Sequence, residues 1–111
     1  MKPLVQQLDQ LIPGFESYAF DDDENLFLQD GELTAHGAFS AFSTYFREKS
    51  RSLEPDQLAG IGRVVNQIVG GPDKDLDNAA CTCFLENLAG DYPQLESELL
   101  GDARRYWDAW K

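Results

Sequence analysis

Leu4, Leu8, Leu11 and Ile12 recur at the spacing of one helical face, and Pro13-Gly14 ends the pattern. Pro3 suits a first helical turn, where its missing N–H has no carbonyl to reach. From Leu33 to Ser52 a second stripe runs through Ala35, Ala38, Phe39, Phe42, Tyr45 and Phe46, with Ser40, Ser43 and Thr44 largely off it. Ser52-Leu53-Glu54-Pro55 opens a third helix, whose apolar face is Leu58, Ile61, Val65, Ile68 and Val69 and which Gly70-Gly71-Pro72 stops. In a fourth, Asp73, Asp75 and Asp77 crowd the start, where negative charge complements the helix dipole. Ala79, Ala80, Cys81, Cys83, Phe84, Leu85 and Leu88 then surround almost the whole cylinder, which places this helix in the middle of a bundle. Gly90-Asp91-Tyr92-Pro93 breaks it. A fifth stripe, Leu95, Leu99, Ala103, Tyr106 and Trp110, predicts one helix to the end of the chain, with Tyr106 and Trp110 buried and Trp107 left unassigned. Residues 16–32 fit either a short strand or a helical turn, with Phe15, Tyr18, Phe20 and Phe27 expected to fold back onto the core. The pattern predicts an all-α fold, a compact bundle of about five helices in roughly antiparallel succession, with residues 1–111 as one domain.

Composition agrees with a packed core. Of 111 residues, 42% are hydrophobic and 12% aromatic, and a chain of this length buries roughly two-thirds of its unfolded surface. Charge narrows the function classes. Twenty Asp and Glu stand against nine Lys and Arg, a formal net of −11. That field repels nucleic acid and anionic membrane surfaces and attracts a basic partner. The first residues lack the pattern of a secretory leader, and no apolar run is long enough to cross a membrane, so a cytoplasmic location is expected.

Candidate chemistry is sparse. Counted as a twelve-residue calcium loop, Asp21 to Glu32 puts Asp21, Asp23 and Asn25 at positions one, three and five and Glu32 at twelve. Leu26 stands where that loop needs glycine, and no helix leads in, so coincidence in an Asp-rich chain is the better reading. The run Asp73, Asp75, Asp77 fails similarly, with Phe84 at the position that requires Glu. His36, the one histidine, could pair with Cys81 or Cys83 as base and nucleophile or as part of a zinc site. No motif supplies further ligands or an oxyanion feature, which favours inert thiols. Cys81 and Cys83, two apart on a helix, point to opposite sides and are poorly placed to bridge each other. Gly60-x-Gly62 and Gly70-Gly71 lack the lysine and the strand–helix context of a phosphate loop. The chain is therefore expected to be no enzyme and to hold no metal or other cofactor.

The distribution of charge says more. No Lys or Arg occurs between Lys2 and Arg47, while eight carboxylates accumulate there. Asp21, Asp22, Asp23, Glu24, Asp30 and Glu32 form the densest group, and Asp73 and Asp75 a second; these eight are the expected partner-binding residues. Basic residues gather instead at Arg47, Lys49 and Arg51.

The segment Asp77-Asn78-Ala79-Ala80-Cys81-Thr82-Cys83-Phe84-Leu85-Glu86-Asn87-Leu88 resembles the signature helix of a family of small, acidic, all-helical bacterial proteins of the immunity type. Gly37-Ala38-Phe39 and Phe42-x-x-Tyr45-Phe46 in the preceding stripe are similar too, so the resemblance covers residues 33–90. It implies a role in bacterial competition: binding and neutralising a cognate toxin domain; the acidic charge, for its part, suits a toxin with a basic active-site cleft. It carries over no catalytic residues. A regulatory or adaptor domain that binds a different protein is the second reading, and a small metal- or thiol-dependent enzyme the third.

Overall fold

In the computed structural model, residues 2–21, 27–29 and 31–111 are described. Helix α1 (Lys2–Leu11) buries Leu4, Val5 and Leu8 and ends before Pro13. Its neighbour α2 (Phe15–Phe20) begins with an N–H that the preceding helix satisfies: Glu16 N donates to the Asp9 carboxylate at 2.9 Å. Two short strands, β1 (Leu28–Gln29) and β2 (Glu32–Leu33), pair antiparallel with Leu28 opposite Leu33. The segment that fits either a strand or a helical turn thus holds both, a short helix and then a minimal strand pair.

Thr34 caps α3 (Ala35–Lys49), its Oγ1 accepting from Gly37 N at 3.0 Å. A 3₁₀ turn (Ser50–Ser52) leads to α4 (Pro55–Ile68), where Glu54 N donates to Gln57 Oε1 at 2.8 Å and Pro55 opens the first turn. Asp73 caps α5 (Lys74–Ala79) by accepting from Asp75 N and Leu76 N. The chain continues without interruption through a π-helical turn (Ala80–Leu85) into α6 (Glu86–Leu88), making one rod. Glu86 N donates to Cys81 O, five residues back, the bond that defines the π turn.

This rod is the centre of the molecule. Phe84 is wholly buried, and its ring meets Phe42 at 5.5 Å, Phe46 at 6.0 Å and Phe39 at 6.1 Å between centroids. Contacts climb α3 and the rod together: His36 touches Cys83, Ser43 touches Asn87, and Phe46 packs edge-on against Tyr92. The two therefore run in the same sense, as successive antiparallel helices require when α4 returns between them. Buried side chains from α1 to the last helix form one cluster, so the fold is all-α around a single core.

The single C-terminal helix and three expectations about aromatic burial are corrected. Residues 95–110 do not form one helix: α7 (Pro93–Glu96) and α8 (Gly101–Trp110) are separated by a turn. Trp107, not Trp110, enters the core; Trp107 is 1% exposed and Trp110 56%. Leu95, Leu99 and Ala103 are buried as expected, while Tyr106 is only partly buried. Trp110 follows Trp107 by three residues, short of a full turn, so it is turned aside around α8, with the Tyr106 ring 6.3 Å away. Phe20, expected in the core, is 48% exposed, because Phe15 and Ala19 take the buried face of α2.

Candidate functional site

Phe20 stands beside a surface hollow of about 510 Å³ whose lining includes Val5, Leu33, Glu16, Glu32, Gly31 and Lys2. The local fold explains its shape. Leu33 is buried and Glu32 exposed because successive residues of β2 point to opposite faces. Gly37, in the first turn of α3, leaves no room for a Cβ against the Phe27 carbonyl, so Phe27, just ahead of β1, lies directly on the helix. The result is a hollow with apolar Val5 and Leu33, an exposed aromatic ring and two carboxylates, against which, among the described residues, Lys2 supplies the positive charge.

Of the expected partner-binding residues, Glu32 lines this hollow and Asp21 is exposed next to Phe20 in the chain. Asp22, Asp23, Glu24 and Asp30, and with them most of the calcium-loop reading, lie outside the described residues. Asp73 and Asp75 sit at the start of α5 and do not line the hollow; the Asp73 carboxylate is occupied in capping that helix. Sequence reasoning missed Glu16 and Phe20. The signal for Phe20 was present: two residues of the six-residue stretch Phe15 to Phe20 suffice for its buried side, and Phe20 directly follows one of them, Ala19.

A larger groove, about 770 Å³, lies between α5 and α8, but Asp77, Asp102 and Arg105 in its lining are engaged within the fold. Arg105 pairs with Asp102, and Asp77 Oδ1 accepts from Gly70 N at 3.1 Å and from Cys81 Sγ at 3.6 Å. Burial, reinforced by the adjacent Asp77 carboxylate, pushes the Cys81 thiol up to about 12. The Tyr106 hydroxyl, which donates to the Glu86 carboxylate, is likewise held up at about 12 by burial and then by that bond.

The second cysteine is placed differently. Cys83 is half-buried in the π turn, with Sγ 3.3 Å from His36 Nδ1, and His36 is exposed. Thr82 Oγ1 lies 3.6 Å from the same sulfur and donates its own proton to Asn78 O at 2.9 Å. Asn87 Nδ2 donates to Cys83 O at 2.8 Å and to Ser43 Oγ at 3.4 Å. The two thiols are both free. Among the described residues no three His, Cys, Asp or Glu side chains converge to hold a metal ion, and no helix is long and apolar enough to cross a membrane.

No curated protein and no solved structure matches the chain. A family model does: residues 5–111 match the domain of unknown function DUF7674, and the chain belongs to that family.

Proposed function

We propose that this chain is a protein-binding module whose docking surface is the hollow beside Phe20, and that its partner is a basic protein domain. The observation that carries the reading is an exposed phenylalanine next to apolar Val5 and Leu33 with Glu16 and Glu32 around them. An aromatic anchor with a charged rim is the arrangement through which interfaces concentrate binding energy. The sequence that follows Phe20 is rich in carboxylates from Asp21 to Glu32, and the net charge of −11 speeds encounter with a positively charged surface. The most specific form of the proposal is immunity: the partner is a cognate toxin whose basic active-site cleft is blocked by this face. Asp73 and Asp75 would contribute to the long-range field. Free Cys81 and Cys83 suit a reducing compartment such as the cytoplasm.

The test begins with affinity capture from the native host and mass spectrometry of the retained protein. Binding of that protein is then measured with Phe20→Ala and with the pair Glu16→Gln and Glu32→Gln. Phe20→Ala is expected to weaken binding about tenfold or more, through faster dissociation. The charge pair should slow association at low salt and flatten its dependence on ionic strength. If the captured protein is a toxin, co-expression with the wild-type chain restores growth and Phe20→Ala does so poorly. Unchanged kinetics in all variants would move the interface elsewhere.

A further inference from the structure

We infer that Cys83, paired with His36, is the reactive thiol of this protein, and that the reagent it meets is a small neutral hydroperoxide. The two cysteines sit two residues apart in opposite circumstances. Cys81 is buried, its sulfur directed at the Asp77 carboxylate, and its proton is held up to about 12. Cys83 is partly open to solvent, and an imidazole nitrogen lies 3.3 Å from its sulfur. The thiolate is the nucleophile, so a base at hydrogen-bond distance is what separates a reactive cysteine from an inert one. Thr82 does not compete for the role, because its hydroxyl proton goes to the Asn78 carbonyl.

The π turn is the device that sets this geometry. By taking one residue more per turn than an α-helix, it presents Cys83 to the first turn of α3 while Phe84 stays wholly buried among Phe39, Phe42 and Phe46. Asn87 fixes the turn from the following one through the Cys83 carbonyl. The pair is held by the core although it lies at the surface.

Charge and chain chemistry select the reagent. A net charge of −11 disfavours anionic oxidants such as glutathione disulfide, whereas hydrogen peroxide carries no charge and needs no pocket. His36 Nδ1 takes the thiol proton, and the sulfur attacks one peroxide oxygen. The S–O bond forms as the O–O bond breaks, and the departing hydroxide leaves as water with the proton from His36. The sulfur is oxidised by two electrons to sulfenic acid and the peroxide is reduced. Cys81, the only other thiol, cannot resolve the product, since it faces Asp77 from inside the fold. The sulfenic acid therefore persists until a small external thiol meets it.

The experiment uses the full reduced chain, treated with hydrogen peroxide in the presence of dimedone, with adducts mapped by mass spectrometry. In parallel the rate of iodoacetamide alkylation is followed at each cysteine. Cys83 should carry the adduct and Cys81 should not. Native Cys83 should outpace the same residue in the urea-unfolded chain by about tenfold in both reactions, and His36→Gln should remove most of that advantage with the circular dichroism unchanged. Equal rates in native and unfolded protein would overturn the inference, as would a His36→Gln variant that reacts like wild type or a preference for Cys81. Iodoacetamide oxidises nothing, so an advantage seen with it and absent with peroxide would keep the nucleophile but reject the hydroperoxide.

Discussion

Trp107 and Trp110 are three residues apart on one helix, yet their surroundings are opposite. Trp107 fills the core and its Nε1 donates to Glu96 Oε1 at 2.8 Å, a bond that a buried indole needs. Trp110 is 56% exposed, with the Tyr106 ring beside it. Trp107→Ala is expected to cost about 3–5 kcal/mol, the range for deleting a buried aromatic, whereas Trp110→Ala should stay within about 0.5 kcal/mol. Urea unfolding measures both, and acrylamide should quench the fluorescence of Trp107→Phe far more than that of Trp110→Phe. Periodicity could not separate the two residues. Counting from Leu95 through an unbroken helix reaches Tyr106 and Trp110, and the break that resets the phase depends on side chains from a distant helix.

That break is made by α4. Asn66 Nδ2 donates to Glu98 O at 3.1 Å, and Asn66 Oδ1 accepts from Leu100 N at 2.9 Å, so one amide satisfies two backbone groups of the non-helical link. Gly62 lets the same link lie against the helix: a Cβ there would come within 2.7 Å of Glu98 Cβ and 2.8 Å of its carbonyl oxygen. Asn66→Ala and Gly62→Ala are each expected to cost about 1–3 kcal/mol, the first by orphaning backbone groups and the second by overpacking. Because both act on one link, the double variant should cost less than the sum of the two, which thermal unfolding of the set would reveal. Elements with local signals were legible in the sequence. Pro13-Gly14, Pro55, Gly70-Gly71-Pro72 and Asp73 each mark a boundary that the fold keeps, because stops and caps are settled within a few residues. The link at Ser97–Leu100 and the π turn were not legible, since tertiary partners decide both.

For the whole molecule, the acidic excess and the two raised acids set how stability responds to pH. Cys81 and Tyr106 ordinarily lose their protons near 9.0 and 10.0, and the fold holds both at about 12. The unfolded chain therefore releases these protons first, so the stabilisation is complete below pH 9 and is lost as pH rises toward 12. Cys81→Ala should remove the part of that decline that begins near pH 9 and Tyr106→Phe the part that begins near pH 10, as read from melting temperature against pH. On the acid side, hydrogen bonds from Lys111 and Trp107 hold the Glu96 carboxyl below its usual range, and those from Lys111 and Arg104 do the same for Asp108. That contribution is present above the usual carboxylate range and fades as pH falls through the depressed values. Charge is also the part of the candidate site that the sequence carried best: Glu32 and Asp21 were legible as an acidic cluster. The hollow itself was not, because Val5, Leu33 and Phe20 come from three elements whose meeting no local pattern encodes.

A π turn is, in the ledger of chain length, one residue more than a helix requires. The α-helical segments on either side, Lys74–Ala79 and Glu86–Leu88, keep their phase relative to the core because the surplus is absorbed between them. Within Ala80–Leu85 the quantity that matters is thus the number of residues as much as their identity. A chain one codon shorter at exposed Thr82 would still deliver Leu85 and Leu88 to the same buried side, yet would carry Cys83 around the axis and away from His36. The hydrophobic centre and the thiol pair are inherited separately, the first through composition and the second through count.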